Sequence, residues 1–258
     1  MACFAQLGGR TDRLEHAHTL ASRSIGLPET DPLLVAGLAI ARDIDHGIGA
    51  GVAAGYHNGQ HFLEVMLCAL YLARLACFDP RRTARVVTAA LMHDFHHDGS
   101  RSASSPFRLE LLAAQEAQPY LRAAEVDDDE CRRLQALVLA TDPSIGVPFA
   151  RACWAQHAAG ERVTPLASAL PLPLGRLLLE PDLAHEAVLL AEADVLPSIG
   201  LTFEHAEQLQ SMLAIEWGTA LGRDDKLQFI DHLVGEISVA SFFIPNIQAL
   251  RQAYLGTE

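Results

Sequence analysis

Residues 61–75 read HFLEVMLCALYLARL, with apolar side chains recurring three and four positions apart. That period belongs to a helix buried along a broad face. The same spacing predicts helices over 82–93, 132–140, 184–195, 206–217 and 227–243. Two-residue alternation is scarce, so no sheet is expected. Five or more helices joined by short turns predict an all-α bundle.

The 258 residues are half apolar and one-fifth charged, which suits a packed core and argues against long disorder. Loops are marked by composition at 47–55 (GIGAGVAAG), at 98–106, and at 164–181 with its four prolines. None reads as a linker between two cores, and no fixed-period repeat is found. A single domain over 1–258 is therefore expected. Gly47, Gly49 and Gly51 follow a helical stretch rather than a strand, so they read as a flexible loop and not as a phosphate-binding turn.

Lysine and arginine total 19 against 32 acidic residues, a formal net charge of −13. Such a surface repels polyanions and argues against nucleic acid as a partner. An anionic substrate would need local positive charge, and a bound metal is one source. No apolar run approaches the roughly 20 residues of a membrane span, so no membrane association is expected. The N-terminus lacks a basic head followed by an apolar stretch, so no signal peptide is read. Five cysteines, at 3, 68, 77, 131 and 153, form no CxxC pair. They fit free thiols and a cytoplasmic location.

Histidines concentrate in two stretches, Tyr56-His57-Asn58-Gly59-Gln60-His61 and Met92-His93-Asp94-Phe95-His96-His97-Asp98-Gly99. Residues four apart share a helix face, so His57 and His61 project together if the helix begins by residue 57. His93 and Asp94 end an apolar helix and could both reach one ion. Burying that polar pair without a partner would be costly, and a metal is one such partner.

These motifs resemble those of class I cyclic-nucleotide phosphodiesterases, within the HD-domain superfamily of metal-dependent phosphohydrolases. Tyr56 to Val65 resembles the family's YHNxxHAxDV signature. Ala89 to Gly99 resembles its AAxxHDxDHPG segment. Leu139-Ala140-Thr141-Asp142-Pro143-Ser144, Ala191-Glu192-Ala193-Asp194-Val195 and Phe229-Ile230-Asp231-His232-Leu233-Val234 resemble three later segments in the same order. The resemblance spans about 56–234 and implies a compact, multi-helix phosphodiesterase-like bundle.

The resemblance also implies a site. His61, His93, Asp94 and Asp194 would bind a first metal, with zinc, manganese or iron suited to that mixed ligand set. Asp94 would bridge to a second metal, magnesium or manganese, held mainly by water and flanked by His97. His57 matches the general acid. Glu116 is the candidate to orient it, with Glu110 the runner-up, and Asp142 takes a supporting role. The implied chemistry is attack of metal-activated water on a phosphodiester, with a 3′,5′-cyclic nucleotide among the candidate substrates. The alternatives are a nucleotide phosphomonoesterase or pyrophosphohydrolase and a di-iron oxygenase, which would need further histidine ligands such as His157 or His185.

The departures concern specificity. Phe229 stands where the family stacks a purine, but Lys226 replaces the glutamine that reads the base. The stretch from Glu216-Trp217 to Lys226 is short, which predicts a more open pocket. His96 replaces an acidic residue and Asp98 a proline. A lysine free to turn to water loses little against the wrong base, so weak purine discrimination is expected, below about tenfold between adenine and guanine.

Overall fold

The computed structural model describes residues 11–100, 105–161 and 170–256. Among these residues there are eleven α-helices, two 3₁₀ turns and no strand. The helices are α1 (Arg13–Ile25), α2 (Pro32–Asp45), α3 (Gly59–Leu75), α4 (Pro80–Met92), α5 (Arg108–Ala123) and α6 (Asp128–Leu139). They continue as α7 (Gly146–Ala158), α8 (Pro181–Gly200), α9 (Phe203–Trp217), α10 (Arg223–Val234) and α11 (Ile244–Gly256). None is long and apolar enough to cross a membrane.

Local chemistry starts many of these helices where they begin. Asp31, Asn58, Asp79 and Asp127 accept hydrogen bonds from first-turn amides of α2, α3, α4 and α6. Proline supplies the first helical residue of α2, α4 and α8. α8 is the central element. It is buried along nearly its whole length and packs against α3, α4, α7, α9 and α11. The buried apolar side chains form one cluster running from Leu14 to Tyr254.

One buried ionic knot ties three helices together. Arg85 of α4 meets Glu130 of α6 through its Nε and Glu186 of α8 through Nη1, at 2.7 and 2.9 Å to the two Glu186 oxygens. Arg82 adds a bond to Glu186 at 2.8 Å. This fixes α4, whose C-terminal end carries His93.

The predicted helix over 227–243 does not run through. α10 ends at Val234, and a 3₁₀ turn follows at Ala240–Phe243. The break has a cause on another helix. The buried carboxylate of Glu192 in α8 accepts from the Ser238 amide at 2.7 Å, the Ser238 hydroxyl at 2.9 Å and the Ala240 amide at 2.5 Å. These bonds hold the amides in a turn. Cys68, Cys77, Cys131 and Cys153 are free thiols. Cys3 and much of the proline-rich stretch lie outside the described residues.

Candidate metal centre and adjoining cavity

Two helix ends and one helix side converge on a single point. His61 stands in the first turn of α3, just after its cap Asn58. His93 follows α4 immediately, and Asp94 is next. Asp194 projects from the last two turns of α8. The four ligand atoms lie within 4.8 Å of one another. His61 Nε2 is 3.0 Å from Asp94 Oδ2, 3.1 Å from His93 Nε2 and 3.3 Å from Asp194 Oδ1. Ligands held about 2.1 Å from one ion at tetrahedral or octahedral angles are separated by just such spacings.

The protonation pattern also fits an ion. His93 Nδ1 donates to the Ala90 carbonyl at 2.8 Å, which leaves the Nε2 lone pair facing the centre. That lone pair meets the other buried imidazole and two half-buried carboxylates at the cavity wall, an arrangement that favours positive charge. Without a metal, protons would have to supply it. Burial works against charge on His61, yet Asp194 and Asp94 outweigh it and hold this imidazole up at about 9. His93 is held high by the same competition, and both carboxylates are held low.

His57, Asp94 and His97 form a second group able to share an ion. The rings of His57 and His97 stack at 3.7 Å. His97 Nδ1 accepts from the Gly99 amide at 3.0 Å, so its other nitrogen is the protonated one in the neutral ring.

The carboxylate at His57 is Glu216, near the end of α9, rather than Glu116 or Glu110. Glu216 Oε1 lies 2.5 Å from His57 Nδ1, and Oε2 accepts from the His57 amide at 2.9 Å. Burial opposes ionisation of Glu216, and the His57 contacts outweigh it and keep the carboxyl low. Glu116 is half-buried on α5, with Tyr120 as an electrostatic neighbour. Six residues on a helix turn the side chain through about 240°, so Glu116 cannot share the face of Glu110. Glu110 does face the site. It is buried, its Oε2 has no partner, and burial raises its pKa to about 7. Asp142 is fully buried and accepts from the Phe107 amide at 2.9 Å and the Ile145 amide at 2.7 Å. It thereby fixes the start of α5 and, with it, Glu110.

The glycine-rich segment is a packed strap. Gly49 and Gly51 have positive φ of 66° and 71°. A Cβ on Gly51 would sit 2.0 Å from the His57 carbonyl oxygen, and one on Gly49 would enter the Phe95 ring. The Val52 amide donates to the His57 carbonyl at 2.8 Å, and the His96 amide to the Gly49 carbonyl at 3.0 Å. The strap thus holds both histidine motifs. Gly55 leaves room for Glu216, since a Cβ there would come within 2.4 Å of Oε2. The only trace of this role in the sequence is the alternation of the glycines.

Two adjoining cavities of about 610 and 540 Å³ share His57, Asp194 and Trp217 as walls. The smaller contains Asp94, His97, Glu110 and Thr141. The larger is lined by Tyr56, Ser198, Gln210, Lys226 and Phe229, among others. Phe229 is 37 % exposed, as a stacking face would be, but Lys226 is only 6 % exposed. The expectation of a lysine free to turn to water is therefore overturned. Lys226 lies in the first turn of α10 with its chain packed inward, and burial lowers it to about 8. His157 and His185 do not join the cluster. His157 bonds to the Leu177 carbonyl at 2.9 Å, and His185 stacks on Trp154 at 4.0 Å.

No protein-family model and no curated protein matches the chain. Solved structures do match in fold. The phosphodiesterase domain of the Salpingoeca rosetta rhodopsin phosphodiesterase aligns with TM-score 0.65 and 16 % identity, covering 95 % of this chain and 86 % of that one. LmjPDEB1 in complex with IBMX aligns with TM-score 0.65 and 15 % identity, covering 98 % and 90 %. A second structure, the phosphodiesterase domain of the RhoPDE fusion protein from the same choanoflagellate, gives 0.61, 17 %, 98 % and 87 %. The chain has the all-helical fold of phosphodiesterase catalytic domains.

Proposed function

We propose that the chain is a metal-dependent phosphodiesterase that uses His57 as its general acid. One observation carries this reading: the ligand cluster His61, His93, Asp94 and Asp194 adjoins a histidine whose far nitrogen is held by a buried carboxylate. When bound, divalent ions at the cluster supply charge that makes water acidic and neutralises phosphoryl oxygens.

The chain's own residues do the remaining work. Glu216 accepts at Nδ1 of His57, so Nε2 faces the site, 3.8 Å from Asp94 Oδ2. A proton at that nitrogen can pass to a departing alkoxide. His97 stacks on His57 and limits its rotation. Glu110 and Thr141 border the cavity on the Asp94 side, where they can order water. Phe229 offers a flat apolar face on the other side for an aromatic part of the substrate.

The test is hydrolysis by the purified protein loaded in turn with manganese, magnesium, zinc or iron. Substrates are bis-p-nitrophenyl phosphate, p-nitrophenyl phosphate, and cyclic and linear nucleotides. Cleavage of diesters without cleavage of the monoester is expected. Cleavage of monoesters alone would replace this reading with a phosphomonoesterase.

A further inference from the structure

His57, Asp194 and Trp217 belong to both cavities, whereas Asp94 and His97 line only the smaller and Tyr56 and Phe229 only the larger. The proposed general acid and one candidate metal ligand therefore stand on the partition between two chambers of similar size, about 610 and 540 Å³. A phosphoryl group held at that partition opens onto both.

The smaller chamber has more room than metal chemistry needs. Waters occupy about 30 Å³ each, so five of them around a second ion beside Asp94 take about 150 Å³. More than half of the chamber is left. Its wall also includes Leu109, Pro143 and Ser144, which bring neither carboxylate nor imidazole. Leu109 precedes Glu110 on α5, and Pro143 follows Asp142, whose carboxylate accepts from the Phe107 amide at 2.9 Å. The contact that fixes the start of α5 thus also ties together the two segments that bring Leu109 and Pro143 to this wall.

A 3′,5′-cyclic nucleotide carries both ester oxygens on one ribose. Its organic part lies to one side of phosphorus and would fill one chamber. An acyclic diester has two separate arms, and tetrahedral phosphorus sends them in different directions. We propose that the substrate is an acyclic phosphodiester with an organic group on each ester oxygen, one arm in each chamber. This rests on the phosphodiesterase reading and narrows it. Hydrolysis breaks one P–O bond. The oxygen of water joins phosphorus, the departing arm leaves as an alcohol with the proton from His57, and the other arm keeps the phosphate as a monoester.

The experiment is calorimetric titration of the purified, manganese-loaded protein with diphenyl phosphate and methyl phenyl phosphate. The two carry the same charge, differ in the second arm, and have phenoxide as a poor leaving group. Diphenyl phosphate should bind at least about tenfold more tightly, as when a second ring leaves water for a cavity. Pro143→Trp and Leu109→Trp, which each fill part of the smaller chamber, should bring the ratio within about threefold. The two substitutions lie on different segments, so one serves if the other fails to fold. Equal affinity in the wild type, binding of neither diester, or a ratio that survives both substitutions overturns the proposal. Hydrolysis of bis-p-nitrophenyl phosphate and methyl p-nitrophenyl phosphate is measured in parallel. Cleavage of neither counts against the phosphodiesterase reading, while the binding ratio judges the two-armed substrate.

Discussion

Glu216 holds His57 at two points, accepting from the backbone amide at 2.9 Å and lying 2.5 Å from ring Nδ1. The two residues are 159 positions apart in the chain. One carboxylate thus fixes both the position of the imidazole and which nitrogen faces the His/Asp cluster.

Glu216→Gln should therefore impair proton donation without emptying the metal site. An amide in that place can donate to Nδ1 and favour the wrong tautomer. For diesters with alkyl leaving groups, kcat should fall by about 10²-fold or more. Bis-p-nitrophenyl phosphate, whose leaving group needs little protonation, should lose far less. His57→Ala should show the same split. Steady-state kinetics on both substrate types check this, and an equal loss on both would remove His57 from the acid role.

Metal content should follow the cluster. Wild-type protein should retain a divalent transition metal after desalting, and Asp94→Ala should lose it. Chelation should also lower the melting temperature, because it leaves two half-buried carboxylates and two buried imidazoles facing one another without their ion. Elemental analysis with thermal denaturation measures both. Equal metal in wild type and variant would refute the ligand assignment.

Acid stability should depend on His18, far in sequence from the cluster. Its ring is 1 % exposed, Nε2 has no partner, and burial lowers its pKa from 6.5 to about 4. Between those values the unfolded chain binds a proton that the folded chain does not. Stability should therefore fall as pH drops from about 6.5 to 4 and should be untouched by this residue above that window. The full effect is of order 3 kcal/mol. Urea unfolding across pH should show a shallower acid slope in His18→Gln, and an unchanged slope would contradict this account.

Arg85→Leu should be among the most destabilising single changes. It would take from Glu130 and Glu186, which are 3 % and 0 % exposed, the cation they share, leaving Glu186 only Arg82 at 2.8 Å and Glu130 only longer contacts such as Arg81 at 3.4 Å. Removing one partner of a buried ion pair costs about 3–5 kcal/mol. Adding Glu186→Gln should recover part of the loss in urea unfolding. No recovery would mean that packing, rather than stranded charge, sets the cost.

Much of this molecule is written in local sequence. The three-and-four spacing places α3, α4, α6, α8 and α9, and the caps Asn58 and Asp79 start two helices that carry the cluster. His61, His93 and Asp94 stand out because they fall in two histidine-rich motifs, and it is the resemblance of those motifs to a known signature that groups them with Asp194. What local sequence does not determine is which distant groups meet. Glu110 and Glu116 share a helix, and only packing decides that the first faces the site. Glu216 reaches His57 because α9 lies across the glycine strap, and Gly51 and Gly55 matter only once that crossing exists. The helix expected through 227–243 is broken by Glu192, a residue of another helix. Lys226 carries the same charge in any sequence reading. Its burial against Phe229 comes from how α10 docks on the core, because the solvation of a side chain is a property of its tertiary surroundings.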